Sequence, residues 1–492
     1  MIKKVCVTVL AFVLFLPGWS QAGSFGKDDP SGVPGQWYVG TTPSIVAPSK
    51  HPVLFVHGLN SSSNTWWNEN NMYDTAYQNG YETAFIDLYP TKNMWDNGAL
   101  LAQKIRDIYT YYGEKVVVVA HSKGGIDTQS ALVHYGAYPY VARVITLSTP
   151  HYGSQLADLA YSSWAGWLTG ILGSKNDATY SLQTGYMDYF RSETDQHPNV
   201  NRNPIYTFGG TKWGSFGSSL YWGGLYLRAY GSNDGAVTVS SSRLPYGTEL
   251  KVGEWNHYTI KEGSSTFNLF KTYLNEGTET TGHKTQSTIQ SSNEDEIVSV
   301  VRGGDYHGRK QEKVIVEHGA QSVTFDWISN SPSSQITLVD PTNKATSSFK
   351  VQKDESEYFK GAYHHTVTVN DPAPGEWTVD ASSSSREKYL LRVSFESMMN
   401  DALSLQFAQD KISMKAKDNK FKLKQEIIIE YYKNGKLKQS KIKAKNSKLP
   451  KLEEGVYNVT IDVTGKKQND AFQRTLIKSI YVDGSGKVYG LK

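Results

Sequence analysis

The sequence predicts an α/β unit built on a mostly parallel sheet flanked by helices, followed by two all-β sandwich domains, and three observations carry this. Short β-rich runs alternate with helical patterns from about Pro48 to Leu274, as strand–helix–strand units require. Glu276 to Glu296 is polar, aperiodic and rich in Thr, Ser, Gln and Glu, the composition of a linker. Beyond Ile297 only short alternating strands and turn signals follow, the pattern of antiparallel sandwiches. At 492 residues the chain is long enough for several cores, and the expected division is 1–22, 30–275, 276–296, 297–398 and 399–492.

The first segment carries Lys3 and Lys4, an apolar run from Val5 to Leu16, then Pro17 and a small-x-small site at Ser20-Gln21-Ala22. That is the pattern of a secretory signal peptide cleaved after Ala22. Its roughly 12 apolar residues are fewer than the ~20 a membrane-spanning helix needs, and no other segment is a candidate transmembrane span. Cys6, the only cysteine, lies inside this leader, so the expected product is a secreted, extracellular protein without disulfides. With 51 Lys and Arg against 47 Asp and Glu, the charge balance gives no reason to expect nucleic acid as a partner.

Within the α/β unit, Pro52 to Val56, Thr83 to Leu88, Lys115 to Val119, Arg143 to Leu147, Ile205 to Phe208 and Leu225 to Tyr230 read as strands. Leu101, Ile105, Ile108 and Tyr112 share one helical face, and a helix after Ser122 is expected to end near Gly136. In the β-rich half, Val323 to Trp327, Ile336 to Val339 and Pro374 to Val379 read as strands of the first sandwich. Glu426 to Tyr432, Gly455 to Val463 and Leu476 to Val482 belong to the second. Lys422, Lys424, Lys436, Lys438, Lys441, Lys443 and Lys445 fall largely on alternate positions. That spacing places them on one strand face, as edge-guarding lysines or as an attachment to an anionic polymer surface.

The chemistry centres on Ala120-His121-Ser122-Lys123-Gly124, where a valine-rich strand stops on a serine bracketed by small residues. Small residues two before and two after a serine let backbones approach and hold its hydroxyl at the apex of a strand-to-helix turn. A second match, Ala22-x-Ser24-x-Gly26, has no strand before it and no helix after it. A nucleophilic serine needs a base, an acid to orient that base, and backbone donors for the oxyanion. The base must lie late in the unit, and His257 is the one histidine between Asp234 and Leu274. Asp234 opens the glycine turn Ser232-Asn233-Asp234-Gly235 after an expected strand and is the best-placed acid. The oxyanion donors are expected to be the backbone N–H groups of Lys123, just after the nucleophile, and of Leu59, in the loop after the first central strand. His57, at the end of that strand, suits a structural role.

Val56-His57-Gly58-Leu59-Asn60, Ala120 to Gly125, Thr149-Pro150-His151-Tyr152-Gly153-Ser154, Asn233 to Val237 and Trp255-Asn256-His257 together resemble the secreted bacterial lipases and esterases of the α/β-hydrolase superfamily. The resemblance covers about residues 48–275. It implies Ser122 as nucleophile, His257 as general base and then acid, Asp234 as its orienting carboxylate, Leu59 and Lys123 as oxyanion donors, and ester hydrolysis through an acyl-enzyme. Many such lipases carry calcium near the histidine loop, with an aspartate two residues after the histidine. That position here is Thr259, so a calcium site of that kind is not supported, and neither metal nor cofactor is expected. Relatives often have methionine where this chain has Lys123, which would put a charge near the mouth of the site.

Gln155 to Asn203 is the excursion in which this fold usually carries a cap. Trp164, Trp167, Leu168, Ile171 and Leu172 recur at three- and four-residue spacing, giving an apolar face that either covers an acyl pocket or packs on the core. The expected function is therefore a secreted lipase or carboxylesterase acting on a lipid or other ester, in contact with a lipid interface or polymer surface. The alternatives are a polyester or polyhydroxyalkanoate depolymerase held on its polymer by the sandwiches, and a non-catalytic surface-binding protein.

Overall fold

The computed structural model describes residues 32–46, 49–277, 297–356, 358–408, 411–443, 449, 452–468 and 470–491, without the side chains of 167, 171, 407 and 408. The expected signal peptide, the second serine match at Ser24, most of the expected linker and Lys445 lie outside these residues.

The α/β unit runs β1 (Trp37–Val39), β2 (Val53–Val56), α1 (Met72–Gln78), β3 (Thr83–Ile86), α2 (Met94–Tyr112), β4 (Val116–His121), α3 (Lys123–Val133) and β5 (Val141–Leu147). It continues through four helices, α4 (Gln155–Tyr161), α5 (Gly166–Ile171), α6 (Asp177–Ser181) and α7 (Thr184–Asp195), to β6 (Ile205–Gly210), α8 (Ser219–Leu227) and β7 (Thr248–Gly253). The sheet order is β1-β3-β2-β4-β5-β6-β7. Only β1 is antiparallel to its neighbour; the other pairs are parallel. Parallel strands covered on both faces read as continuous apolar runs, which is why β2 and β4 were legible. Leu54, Val56, Val116 and Val118 face one core with Leu101, Ile105 and Ile108 of α2. Val53, Phe55, Val117 and Val119 face the other, with Met72, Phe267 and Phe270.

Three readings are corrected. Leu225 to Tyr230 is not a strand: α8 covers Leu225 to Leu227, and a 3₁₀ turn follows over Arg228–Tyr230. The Ser218 side chain caps α8 by accepting from the Tyr221 N–H at 3.2 Å. The helix is apolar nearly all round because seven of its nine residues are buried, and that erased the period that would have marked it. The last strand is β7, whose polar sequence TELKVG is partly exposed along its length and so gave no apolar run. Asp234 accordingly follows a helix rather than a strand. The short edge strand β1 also went unread.

The β-rich part opens with β8 (Ser299–Val316), β9 (Ser322–Ser329), β10 (Gln335–Val339), β11 (Ala345–Thr346), β12 (Lys350–Lys353), β13 (Tyr363–Asn370) and β14 (Gly375–Glu396). These form one antiparallel sheet, ordered β11-β10-β14-β9-β13-β12, with β8 paired along β14. β15 (Leu403–Ala408) and β16 (Lys411–Ala416) make a two-stranded sheet. β17 (Lys422–Lys433), β18 (Lys436–Lys443), β19 (Gly455–Lys467), β20 (Asp470–Val482) and β21 (Val488–Tyr489) make a five-stranded one with β18 at its edge. Lys436, Lys438, Lys441 and Lys443 on β18 are exposed, as edge protection requires.

These sheets pack onto the α/β unit rather than standing apart from it. Asn458 Nδ2 donates to Asp158 O at 2.7 Å, Ser479 Oγ to Asp158 Oδ1 at 2.6 Å, and Arg392 Nη1 to Trp222 O at 2.7 Å. One apolar core is shared across the junction, with Leu156, Leu159 and Leu168 on one side and Ile328, Tyr358 and Leu390 on the other.

Candidate active site

Ser122 sits at the turn between β4 and α3 with φ +52° and ψ −132°, a backbone state that costs a non-glycine residue on the order of 1–3 kcal/mol. The surrounding small residues explain how it is held. A Cβ on Gly124 would lie 2.3 Å from His57 O, and one on Gly58 would lie 2.8 Å from Ser122 Cβ. The loop after β2 is thus pressed directly against the serine, which brings the backbone of Leu59 to the same place. Lys123, as the first residue of α3, has a backbone N–H with no acceptor within the helix. The two expected oxyanion donors therefore flank Ser122.

His57 sets that loop. Its Nδ1 donates to Gly58 O at 2.8 Å, and its Nε2 accepts from the Leu88 N–H at 2.9 Å. Burial, which outweighs the hydrogen bonds, pulls its pKa down to about 4, so the ring stays neutral with both nitrogens engaged.

Asp234 and His257 are fully buried. His257 Nδ1 donates to Asp234 Oδ2 at 2.7 Å. Asp234 Oδ1 accepts from the N–H groups of Ala236 and Val237 at 2.9 and 2.7 Å, and the His257 N–H donates to Asp234 O at 3.0 Å. The Asn-Asp-Gly turn thus fixes the carboxylate, and the carboxylate fixes the imidazole tautomer with Nε2 left for proton transfer. A Cβ on Gly210, the last residue of β6, would lie 2.8 Å from Asp234 Cβ; the end of β6 carries the acid even though the chain reaches it through α8. The loop of His257 is closed by Asn256 and Thr259, whose backbone N–H groups donate to each other's side chains at 3.0 and 2.9 Å.

His121 was not foreseen. Its Nε2 donates to His257 O at 2.8 Å, and the two rings lie 4.7 Å apart. It joins the strand that ends on Ser122 to His257. Burial first, and the neighbouring His257 second, hold its pKa well below the ordinary range, so it is a neutral donor. Its position beside Ser122 was the only signal for it in the sequence.

Lys123 is corrected. Its ammonium is not at the mouth of the site: Nζ is buried and donates to both oxygens of Asp127, at 2.6 and 2.8 Å, and Asn97 donates to the same carboxylate. Burial lowers the lysine pKa and raises the aspartate's. The cap residues divide. Leu168 is buried in the core shared with the β-rich part, Trp164 Nε1 donates to Asp462 Oδ2 at 3.1 Å, and Leu172 packs on the same core. The side chains of Trp167 and Ile171 lie outside the described residues. Among the described side chains of this face, Trp164, Leu168 and Leu172 meet the β-rich part.

The same sheets close the site. Ser122 is 2% exposed. The space beside His257 is bounded by Leu156 and Trp222 of the α/β unit and by Ile328, Tyr358 and Phe359 of the β-rich part. It is a cavity of about 20 Å³, about one water molecule. Above it, His364 stacks on Trp222 with ring centroids 5.8 Å apart. It is held at Nδ1 by Asp326 at 2.9 Å and at Nε2 by Asp354 at 2.8 Å, while Arg392 joins Asp326 at 2.9 Å. Burial alone would depress the His364 pKa, but the two carboxylates outweigh it and raise the value to about 9.

The family described as a PGAP1-like alpha/beta domain matches residues 47–163. The crystal structure of Bacillus licheniformis lipase BlEst2 in propeptide form is 43% identical at a TM-score of 0.82, over 93% of this chain and 100% of that chain. The structure of the same lipase in mature form is 57% identical over 50% of this chain and 100% of its own, with a TM-score of 0.48. Triacylglycerol lipase 2 of Saccharomyces cerevisiae is 31% identical over 134 residues, 26% of this chain, which spans 40% of that lipase's length. With 43% identity across the whole of the first Bacillus chain, the protein belongs to the bacterial lipase family of the α/β-hydrolase fold, a family of carboxylic ester hydrolases.

Proposed function

We propose that this chain is a secreted lipase or carboxylesterase that works through Ser122, His257 and Asp234 and is held closed by its own β-rich part. The observation that supports the chemistry is the buried 2.7 Å bond from His257 Nδ1 to Asp234 Oδ2, in a loop tied to the strand that ends on strained Ser122. His257 takes the Ser122 proton as the hydroxyl attacks the ester carbonyl, and the Leu59 and Lys123 N–H groups stabilise the oxyanion. The protonated imidazole then passes that proton to the leaving alcohol, and water repeats the sequence on the acyl-enzyme. Asp234 holds and stabilises the imidazolium.

The closure supports a stored form. Ser122 is 2% exposed and His257 fully buried, residues of the β-rich part cover the space beside the histidine, and the Bacillus relative, whose whole chain aligns with 93% of this one, is described in propeptide form. A polymer-binding role for the β-rich part is less favoured, because the face that would have to present a polymer to the serine is already spent on covering it. Cleavage of full-length protein with a non-specific protease, followed by hydrolysis of soluble p-nitrophenyl esters, tests both parts. Release of a fragment ending near residue 277 should raise the rate many-fold, and Ser122→Ala should stay inactive before and after cleavage. Turnover by Ser122→Ala would sink the mechanism, and a full rate in the uncut chain would sink the closure. On the opened enzyme, a rate that falls beyond short acyl chains identifies an esterase, and one that rises on emulsions identifies a lipase.

A further inference from the structure

The end of the sheet opposite Ser122 carries a second constellation that ester hydrolysis does not use. β2 and β4 begin side by side there, with the Val117 N–H donating to Pro52 O at 2.9 Å. The segment leading into β2 pairs with the last residues of the α/β unit. The His51 N–H donates to Leu274 O at 3.1 Å and the Glu276 N–H to Ser49 O at 2.6 Å, about the antiparallel bridge between Lys50 and Asn275. Glu114 lies just before β4. This backbone arrangement gathers His51, Glu114 and Glu276 so that one ligand atom of each lies within 4.8 Å of the others.

The histidine is the informative member. His51 is 8% exposed, and its Nδ1 has no hydrogen-bond partner among the described residues. Glu114 Oε2 stands 3.5 Å from that nitrogen. A hydrogen bond between them would close to ~2.7–3.0 Å. Two ligands of one tetrahedral zinc, each ~2.0–2.1 Å from the metal, stand ~3.3–3.4 Å apart. The observed gap fits the second geometry. Lys50, on the same segment, is engaged elsewhere: its Nζ donates to Asn79 O at 2.6 Å and lies 4.9 Å over the Tyr81 ring.

We infer that His51, Glu114 and Glu276 form a binding site for a zinc-class divalent cation, with water as the fourth ligand. One imidazole with two carboxylates suits zinc better than calcium or magnesium, which prefer shells of oxygen alone. The ion ties residue 276, at the end of the hydrolase unit, to the starts of β2 and β4. β4 separates the site from Ser122 by about six residues of strand, roughly 20 Å, so the metal acts on the fold and not on the chemistry. The inference does not depend on the proposed ester hydrolysis.

The test uses full-length protein stripped with a chelator and titrated with zinc chloride alone, read by calorimetry and by thermal denaturation. One equivalent of zinc should bind and raise the midpoint, while calcium at the same concentration should leave it unchanged. Glu276→Gln, at an exposed position that folding tolerates, and Glu114→Gln should each weaken zinc binding at least ~10-fold, and His51→Ala should abolish it. Absence of stoichiometric zinc binding in the wild type, or undiminished affinity in Glu276→Gln and Glu114→Gln, would overturn the site. An equal shift with calcium would overturn its assignment to zinc.

Discussion

Arg392→Met isolates the closure from the chemistry. Arg392 makes two contacts that its replacement cannot: Nη1 donates to Trp222 O, across the junction, at 2.7 Å, and Nη2 pairs with Asp326 at 2.9 Å. Both lie in buried surroundings, with Arg392 and Asp326 3% and 1% exposed. Methionine keeps much of the apolar stem and removes the charge. The hydrogen bond across the junction involves an ionised donor and contributes about 1.5–3 kcal/mol. Loss of a partner from a buried ion pair would cost about 3–5 kcal/mol, but His364 remains beside Asp326 as a second cationic partner, so the lower range applies. A shift of 1.5–3 kcal/mol in favour of the undocked state raises its population about 10- to 150-fold. The assay is the basal hydrolysis of a soluble ester by uncut protein, which should rise by the same factor. The rate after proteolytic opening should match the wild type, because Arg392 touches none of the catalytic atoms. A folded variant whose uncut rate is unchanged would refute the reasoning, since Arg392 would then hold nothing that matters to access.

Asp234→Asn should keep the fold and lower kcat of the opened enzyme by about 10⁴-fold through the wrong imidazole tautomer; steady-state kinetics check this, and an unchanged kcat would point to another acid. His364 has a pKa raised from the ordinary 6.5 to about 9. Its contribution is therefore fully present below about 6.5 and is lost as pH rises through about 9. Uncut protein should show a falling thermal midpoint and a rising basal rate over that window, and His364→Gln should remove the dependence. Lys123→Met leaves Asp127 buried with only Asn97 and should destabilise the protein by about 3 kcal/mol in denaturant unfolding. Lys123→Met with Asp127→Leu should recover most of that loss, and the opened enzyme should keep its kcat, because the donor at position 123 is the backbone N–H.

How much could be read in advance followed from the range of each interaction. The elbow was legible because its parts are local: a valine strand buried on both faces, a serine, and small residues whose absent side chains let His57 O and Gly58 approach. Asp234 and His257, whose side chains lie 2.7 Å apart, were selected by order along the chain, although Asp234 follows a helix rather than the expected strand. A largely buried helix such as α8 is apolar at nearly every position, so neither a period of 3.6 nor one of 2 marks it. Ser218 and the glycine pair Gly223-Gly224 were the only local hints. β7 failed for the opposite reason, since an edge strand that is partly exposed carries a polar sequence. Lys123 was misplaced because its partner, Asp127, lies one helical turn away at i+4. That pairing was visible in the sequence, but nothing local says that both groups are buried.

The closure itself has no local signal, because the contacts that make it join residues 97 or more positions apart in the chain. Arg392 meets Trp222, Tyr258 donates to Glu355 O, and Ser479 meets Asp158. Yet the apolar face of Trp164, Leu168 and Leu172 was present in the sequence as a feature with two explanations, acyl pocket or core. The structure supplies a third that reconciles them. Leu156, Leu159 and Trp222 line the space beside His257 and also carry the junction with Ile328, Tyr358 and Phe359. One apolar surface is thus buried by the chain's own sheets, and the proposed opening would turn it to solvent. An exposed apolar patch of that kind beside a nucleophile is what an enzyme working at a lipid boundary needs. During folding the same patch would be an aggregation hazard, which a covalently attached cover removes.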